Sequence, residues 1–121
     1  MTLKECYTAM GSDYDDVLGR LRSERLVQKF VLKFLDDGCF TTLCEALGAG
    51  DRDEAFRAAH TIKGMCQNLS FTALAASSSA MTEALRGGDV AAAIGMLDRV
   101  RGDYELTASA IRAFKAELPP A

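Results

Sequence analysis

The only prolines of the chain are Pro119 and Pro120, and nowhere do β-branched residues alternate with polar ones as a half-buried strand requires. Apolar residues recur instead at three- and four-residue spacing, the repeat of one helix face. The fold is therefore expected to be all-α.

Start and stop signals divide the chain into successive helices. A short helix is expected from about Thr2 to Ala9, closed by Gly11, and a second from about Tyr14 to Leu21, capped by Ser12 or Asp13. Both are read as peripheral. Ser23 can cap a longer helix whose stripe is Leu26, Val27, Phe30, Val31, Phe34 and Leu35, stopped at Asp36-Asp37-Gly38. The next runs from about Phe40 to Leu47, with Phe40, Leu43, Cys44 and Leu47 on one side and Gly48-Ala49-Gly50 as terminator.

Asp51 and Glu54 have the spacing of a capping box and open a long helix to about Leu69. A tight turn at Ser70-Phe71 leads to Thr72, read as the cap of a helix through Leu74, Ser78, Met81 and Leu85 to Arg86, and Gly87-Gly88-Asp89 separates it from the last helix. That helix spans about Val90 to Leu118 and is expected to bury Val90, Ile94, Leu97, Tyr104, Ile111, Phe114 and Leu118. Gly95 and Gly102 inside it would permit either a close helix contact or a bend. Short connections favour antiparallel neighbours, so the expected architecture is an up-and-down four-helix bundle with one or two short additional N-terminal helices. One domain over residues 1–121, with its core about 23–118, suits this length.

The balance of charges narrows the partners. The chain has 26% charged residues and a net charge of −3, with no cluster of Lys and Arg, which argues against nucleic acid. No apolar run approaches the roughly 20 residues of a membrane span, and the N-terminus lacks the layout of a signal peptide, so a cytoplasmic protein is expected. The four cysteines form no Cys-x-x-Cys pair and there is one histidine, which leaves no zinc set; the thiols are read as small hydrophobes. Asp13-Tyr14-Asp15-Asp16 is read as an acidic helix start rather than a metal site.

The single histidine is the informative residue. On the helix from Asp51 to Leu69, residues Ala55, Ala58, Ala59, Ile62, Met65, Cys66 and Leu69 gather in one sector, opposite His60. His60 should face solvent, with Phe56, Lys63, Gly64 and Gln67 on its own side. A lone exposed histidine is by itself only a solvated residue, but its surroundings are specific. Gly64, one turn on, costs helix stability yet would let another protein's backbone or a phosphate come close. Lys63 places a cation within reach of an anion on the imidazole, and Gln67 can hydrogen-bond nearby.

Together these residues suit a phosphoryl group. An imidazole is largely neutral at cytosolic pH, so one ring nitrogen is nucleophilic without a buried base. Phosphoryl transfer depends on alignment and on neutralising charge, which Mg²⁺ usually shares with cationic side chains, and no acidic cluster here offers a metal site.

The segment Ala55-Phe56-Arg57-Ala58-Ala59-His60-Thr61-Ile62-Lys63-Gly64 resembles the signature of histidine-containing phosphotransfer (HPt) domains, an Ala-His-x-Leu-Lys-Gly core around the phospho-accepting histidine, with Ile62 in place of leucine. The likeness extends upstream through Phe30, Phe34, Leu43, Ala46, Leu47 and Gly50-Asp51, and downstream through Asn68, Leu69, Leu74, Met81 and Leu85. The resemblance implies a four-helix bundle presenting His60, Lys63 and Gly64 to receiver domains of response regulators, whose aspartate exchanges the phosphoryl group with His60.

On that basis Mg²⁺ comes with the receiver, no cofactor is bound by this chain, and the other partner is a sensor or hybrid histidine kinase. Phe56 and Arg57 are assigned to partner docking, and a monomer is expected. Ser70 stands where family members often have glycine, so the turn there is expected to differ slightly. Without a glycine-rich ATP-binding segment this chain is not itself a kinase. Two other readings are a non-phosphorylated adaptor of the same fold and a phosphotransfer module cut from a larger sensor or chemotaxis kinase.

Overall fold

In the computed structural model, residues 1–120 are described, and among them are seven helices and no strand: α1 (Leu3–Ala9), α2 (Tyr14–Leu21), α3 (Glu24–Leu35), α4 (Cys39–Ala49), α5 (Arg52–Leu69), α6 (Thr72–Arg86) and α7 (Val90–Ala116). Local side chains start most of them. The Thr2 hydroxyl accepts from the Glu5 amide while the Glu5 carboxylate accepts from the Thr2 amide, a complete capping box on α1. Asp13, Ser23 and Asp89 cap α2, α3 and α7 in the same one-sided way, each accepting from the amide three residues on.

α4, α5, α6 and α7 form the up-and-down bundle: α5 packs between α4 and α6, and α6 packs on α7. α3 lies on α7 and α5, and α2 on α3 and α5. α7 continues unbroken through Gly95 and Gly102, so neither glycine ends it.

The buried line of α7 differs from the expected one. Ala93, Val100, Thr107, Ala108, Ala110, Ile111 and Phe114 are buried, whereas Ile94 is 50% exposed and Val90, Leu97, Tyr104 and Leu118 are only half-buried. The seam runs at seven-residue steps through Ala93, Val100, Thr107 and Phe114, joined by Ile111 near the C-terminal end, and Val90, Leu97 and Tyr104 flank it. α3 shows a similar shift: Val27, Val31 and Phe34 are buried, Phe30 and Leu35 half-buried, and Leu26 is exposed.

The first two helices are not peripheral. Leu3, Cys6, Tyr7, Met10 and Val17 are buried and belong to the common core. The Tyr7 ring packs on Phe71 at 5.6 Å between centroids, and Phe71 meets Phe34 edge-on at 5.1 Å. The Tyr7 hydroxyl donates a 2.8 Å hydrogen bond to the Leu69 carbonyl, which satisfies it inside the core and fixes α1 to the end of α5. Cys6 and Cys66 are buried as small apolar side chains, while Cys39 and Cys44 are half-buried.

Candidate functional site: an exposed histidine on α5

α5 is held at both ends. The Asp51 carboxylate accepts from the Glu54 amide at 3.1 Å, but the box expected there is only half made. Gly50 closes α4 in a left-handed conformation, and the Asp51 amide is spent on the Ala46 carbonyl. The Glu54 carboxylate is therefore free to pair with Arg57 at 2.6 Å.

At the far end Ser70 is the C-cap with φ +58°, a left-handed backbone that strains any residue with a side chain. Its hydroxyl donates to Asp16 at 2.6 Å and accepts from Arg20 at 2.6 Å, and Arg20 also donates to the Asn68 carbonyl. The next amide in line, Thr72, donates to the Ser12 hydroxyl. Thr72 is thus the first residue of α6 and not its cap; the capping oxygen comes from the α1–α2 turn. Phe71 takes the N-cap position without a side-chain bond, because its ring is committed to the core.

Between these fixed ends the core face of α5 is as the spacing predicts. Ala55, Ala58, Ala59, Ile62, Cys66 and Leu69 are buried, and Met65 lies at the edge, half-buried. His60, Gly64 and Gln67 are exposed and Lys63 half-buried, all on the outward side. A Cβ added at Gly64 would meet nothing within 4 Å, so the glycine serves no packing need inside this chain. No ion pair among the described residues engages Lys63.

Phe56 lies one turn before His60 with its ring parallel to the imidazole, 5.8 Å between centroids and 4° between planes. The Arg86 guanidinium, from the last turn of α6, sits 5.1 Å from the centre of the same Phe56 ring. Arg86 is placed there in part by Arg52, whose guanidinium donates to the Leu85 and Arg86 carbonyls at 2.9 Å each, closing the end of α6 onto the start of α5. Arg57 stands apart from the ring stack, exposed and paired with Glu54.

In the sequence Arg86 marks only the end of its helix, and nothing in its neighbourhood announces a contact with Phe56. Among the described residues no three of His, Cys, Asp and Glu gather to hold a metal, and Asp13 and Asp16 are occupied in capping and in the Ser70 contact. Among the described residues no helix is long and apolar enough to cross a membrane.

The helical bundle displays its single histidine on the exposed side of α5, followed three and four residues on by Lys63 and Gly64. The chain is a member of the Hpt domain family, whose model matches residues 26–115. Membership marks it as a histidine phosphotransfer domain of the phosphorelay type. Neither the curated proteins nor the solved structures contain a significant match to it.

Proposed function

We propose that the chain accepts a phosphoryl group on a ring nitrogen of His60 from the aspartyl phosphate of a response-regulator receiver domain, and returns it by the same route. The P–O bond to the aspartate breaks as the P–N bond to imidazole forms, and the aspartate leaves as carboxylate. Lys63 offsets charge on the phosphoryl oxygens, Gly64 lets the receiver's backbone approach, and Gln67 offers a hydrogen bond at the margin. Phe56 and Arg57 flank the contact surface. Mg²⁺ is assigned to the receiver, and a sensor or hybrid histidine kinase stands elsewhere in the relay. We read the chain as one domain, working as a cytoplasmic monomer.

The observation that carries this reading is the exposure of His60 beside a half-buried, unpaired Lys63 and a glycine whose missing side chain faces open space. The test is to mix the protein with receiver domains phosphorylated beforehand in Mg²⁺, and to look for acid-labile phosphate on the wild type and on His60→Gln. Label on the wild type alone supports the shuttle. Tight receiver binding without label on either form, across a broad panel, would point to an adaptor instead.

A further inference from the structure

An imidazole on an open helix face has two side-chain torsions to choose, and a nucleophile that samples many orientations is aligned for in-line attack only part of the time. His60 is not free in this way. Its ring lies parallel to that of Phe56, in the offset arrangement that aromatic quadrupoles favour, and the two residues are one turn apart on α5. Phe56 in turn is packed against the core and carries the Arg86 guanidinium on its ring. Arg86 rides on a helix end that Arg52 ties back to α5.

We infer that Phe56, braced by Arg86, is a positioning residue for His60: it holds the imidazole plane in the orientation from which the ring attacks phosphorus. This goes beyond the docking role given to Phe56 above and rests on the phosphotransfer reading. It also accounts for an aromatic residue left half-buried on the outward side of α5, and gives Arg86 a role at the site. Two elements, α5 and the end of α6, thereby set the aim of one side chain.

The experiment separates aiming from docking by using a small donor. Potassium phosphoramidate needs no protein surface: the imidazole nitrogen attacks phosphorus, the P–N bond of the donor breaks, and ammonia leaves. Labelling rates would be measured for wild type, Phe56→Leu, which keeps apolar bulk without a ring, and Phe56→Tyr, which restores the ring. His60 is the only histidine, so its ring proton resonances report the stack directly as an upfield ring-current shift.

The expected result is loss of the upfield shift and about three- to tenfold slower labelling in Phe56→Leu, both restored in Phe56→Tyr. Arg86→Met should give a smaller loss of both. The inference is overturned if Phe56→Leu loses the shift but labels at the wild-type rate, or if Phe56→Tyr regains the shift while labelling as slowly as Phe56→Leu. Label appearing on His60 from a phosphorylated receiver at equal rates in all three proteins would also overturn it, while leaving the phosphotransfer reading intact. A wild type that takes no label from either donor would overturn both.

Discussion

Ser70 and Asp16, 54 positions apart, meet hydroxyl to carboxylate at 2.6 Å, and this contact fastens α2 to the end of the helix that carries His60. Ser70 holds a left-handed backbone there, which costs about 1–2 kcal/mol relative to the right-handed region. The bonds to Asp16 and Arg20 offset that strain.

Two substitutions separate strain from bonding. Ser70→Ala keeps the strain and loses the bonds, and should lower unfolding stability by about 1–2 kcal/mol in urea titration. Ser70→Gly loses the same bonds but relieves the strain, and should fall within about 0.5–1 kcal/mol of wild type. An alanine variant as stable as wild type would show that the contact contributes nothing.

The same contact sets an acid dependence. The bond from Ser70, and then that from Arg20, hold the Asp16 carboxyl below its usual range. A carboxylate depressed in the folded state adds stability above its unfolded value, near about pH 4, and loses it as pH falls through the lower folded value. Thermal midpoints of wild type and Asp16→Asn should therefore differ most near neutrality and converge as pH falls below the ordinary carboxylate range. A difference independent of pH would remove Asp16 ionisation from the account.

Gly64 should show stability and transfer moving in opposite directions. A Cβ there meets nothing, so Gly64→Ala should gain up to about 1 kcal/mol from helix propensity. A longer side chain, as in Gly64→Leu, should leave the fold intact yet slow transfer from a phosphorylated receiver by about tenfold or more, roughly 1.4 kcal/mol in the barrier. Unchanged transfer in Gly64→Leu would contradict close approach at this position.

The thiols should react in order of burial. Burial raises the Cys66 thiol strongly and Cys6 to about 11, and burial followed by the Asp37 carboxylate raises Cys39 to about 11. Thiolate is the reactive form and must be reached by the reagent, so buried Cys6 and Cys66 should resist a thiol reagent at pH 8 until the protein unfolds, while the more accessible Cys39 and Cys44 react before them. Mass spectrometry of partly labelled protein gives the order, and early labelling of Cys66 would indicate local opening of α5.

The order of the helices and the outward placement of His60 were legible because both depend on local signals, namely capping residues, glycines and the spacing of apolar side chains along α5, whereas α4 runs on through the expected terminator Gly48-Ala49 and α7 stops at Ala116. The inward face of α7 was not legible, since Ala93 and Thr107, which carry little hydrophobic signal, are buried while the more apolar Ile94 is left outside. The true supports of the site were equally hidden. Ser12 capping Thr72, Asp16 meeting Ser70 and Arg86 reaching Phe56 join residues 60, 54 and 30 positions apart, and no local pattern encodes such pairs. Tyr7 falls in a helix expected to be peripheral because so short a segment carries little periodic signal, although its ring and hydroxyl are both used in the core.

The fastening by the first two helices has a kinetic meaning. α4, α5, α6 and α7 follow one another through short turns, so their packing can begin from contacts near in sequence. The bonds from Tyr7 to Leu69 and between Ser70 and Asp16 close spans of 62 and 54 residues, which carry a loop entropy that favours late formation. The helix bearing His60 is thus framed early, and its last tie is made by the segment that left the ribosome before it.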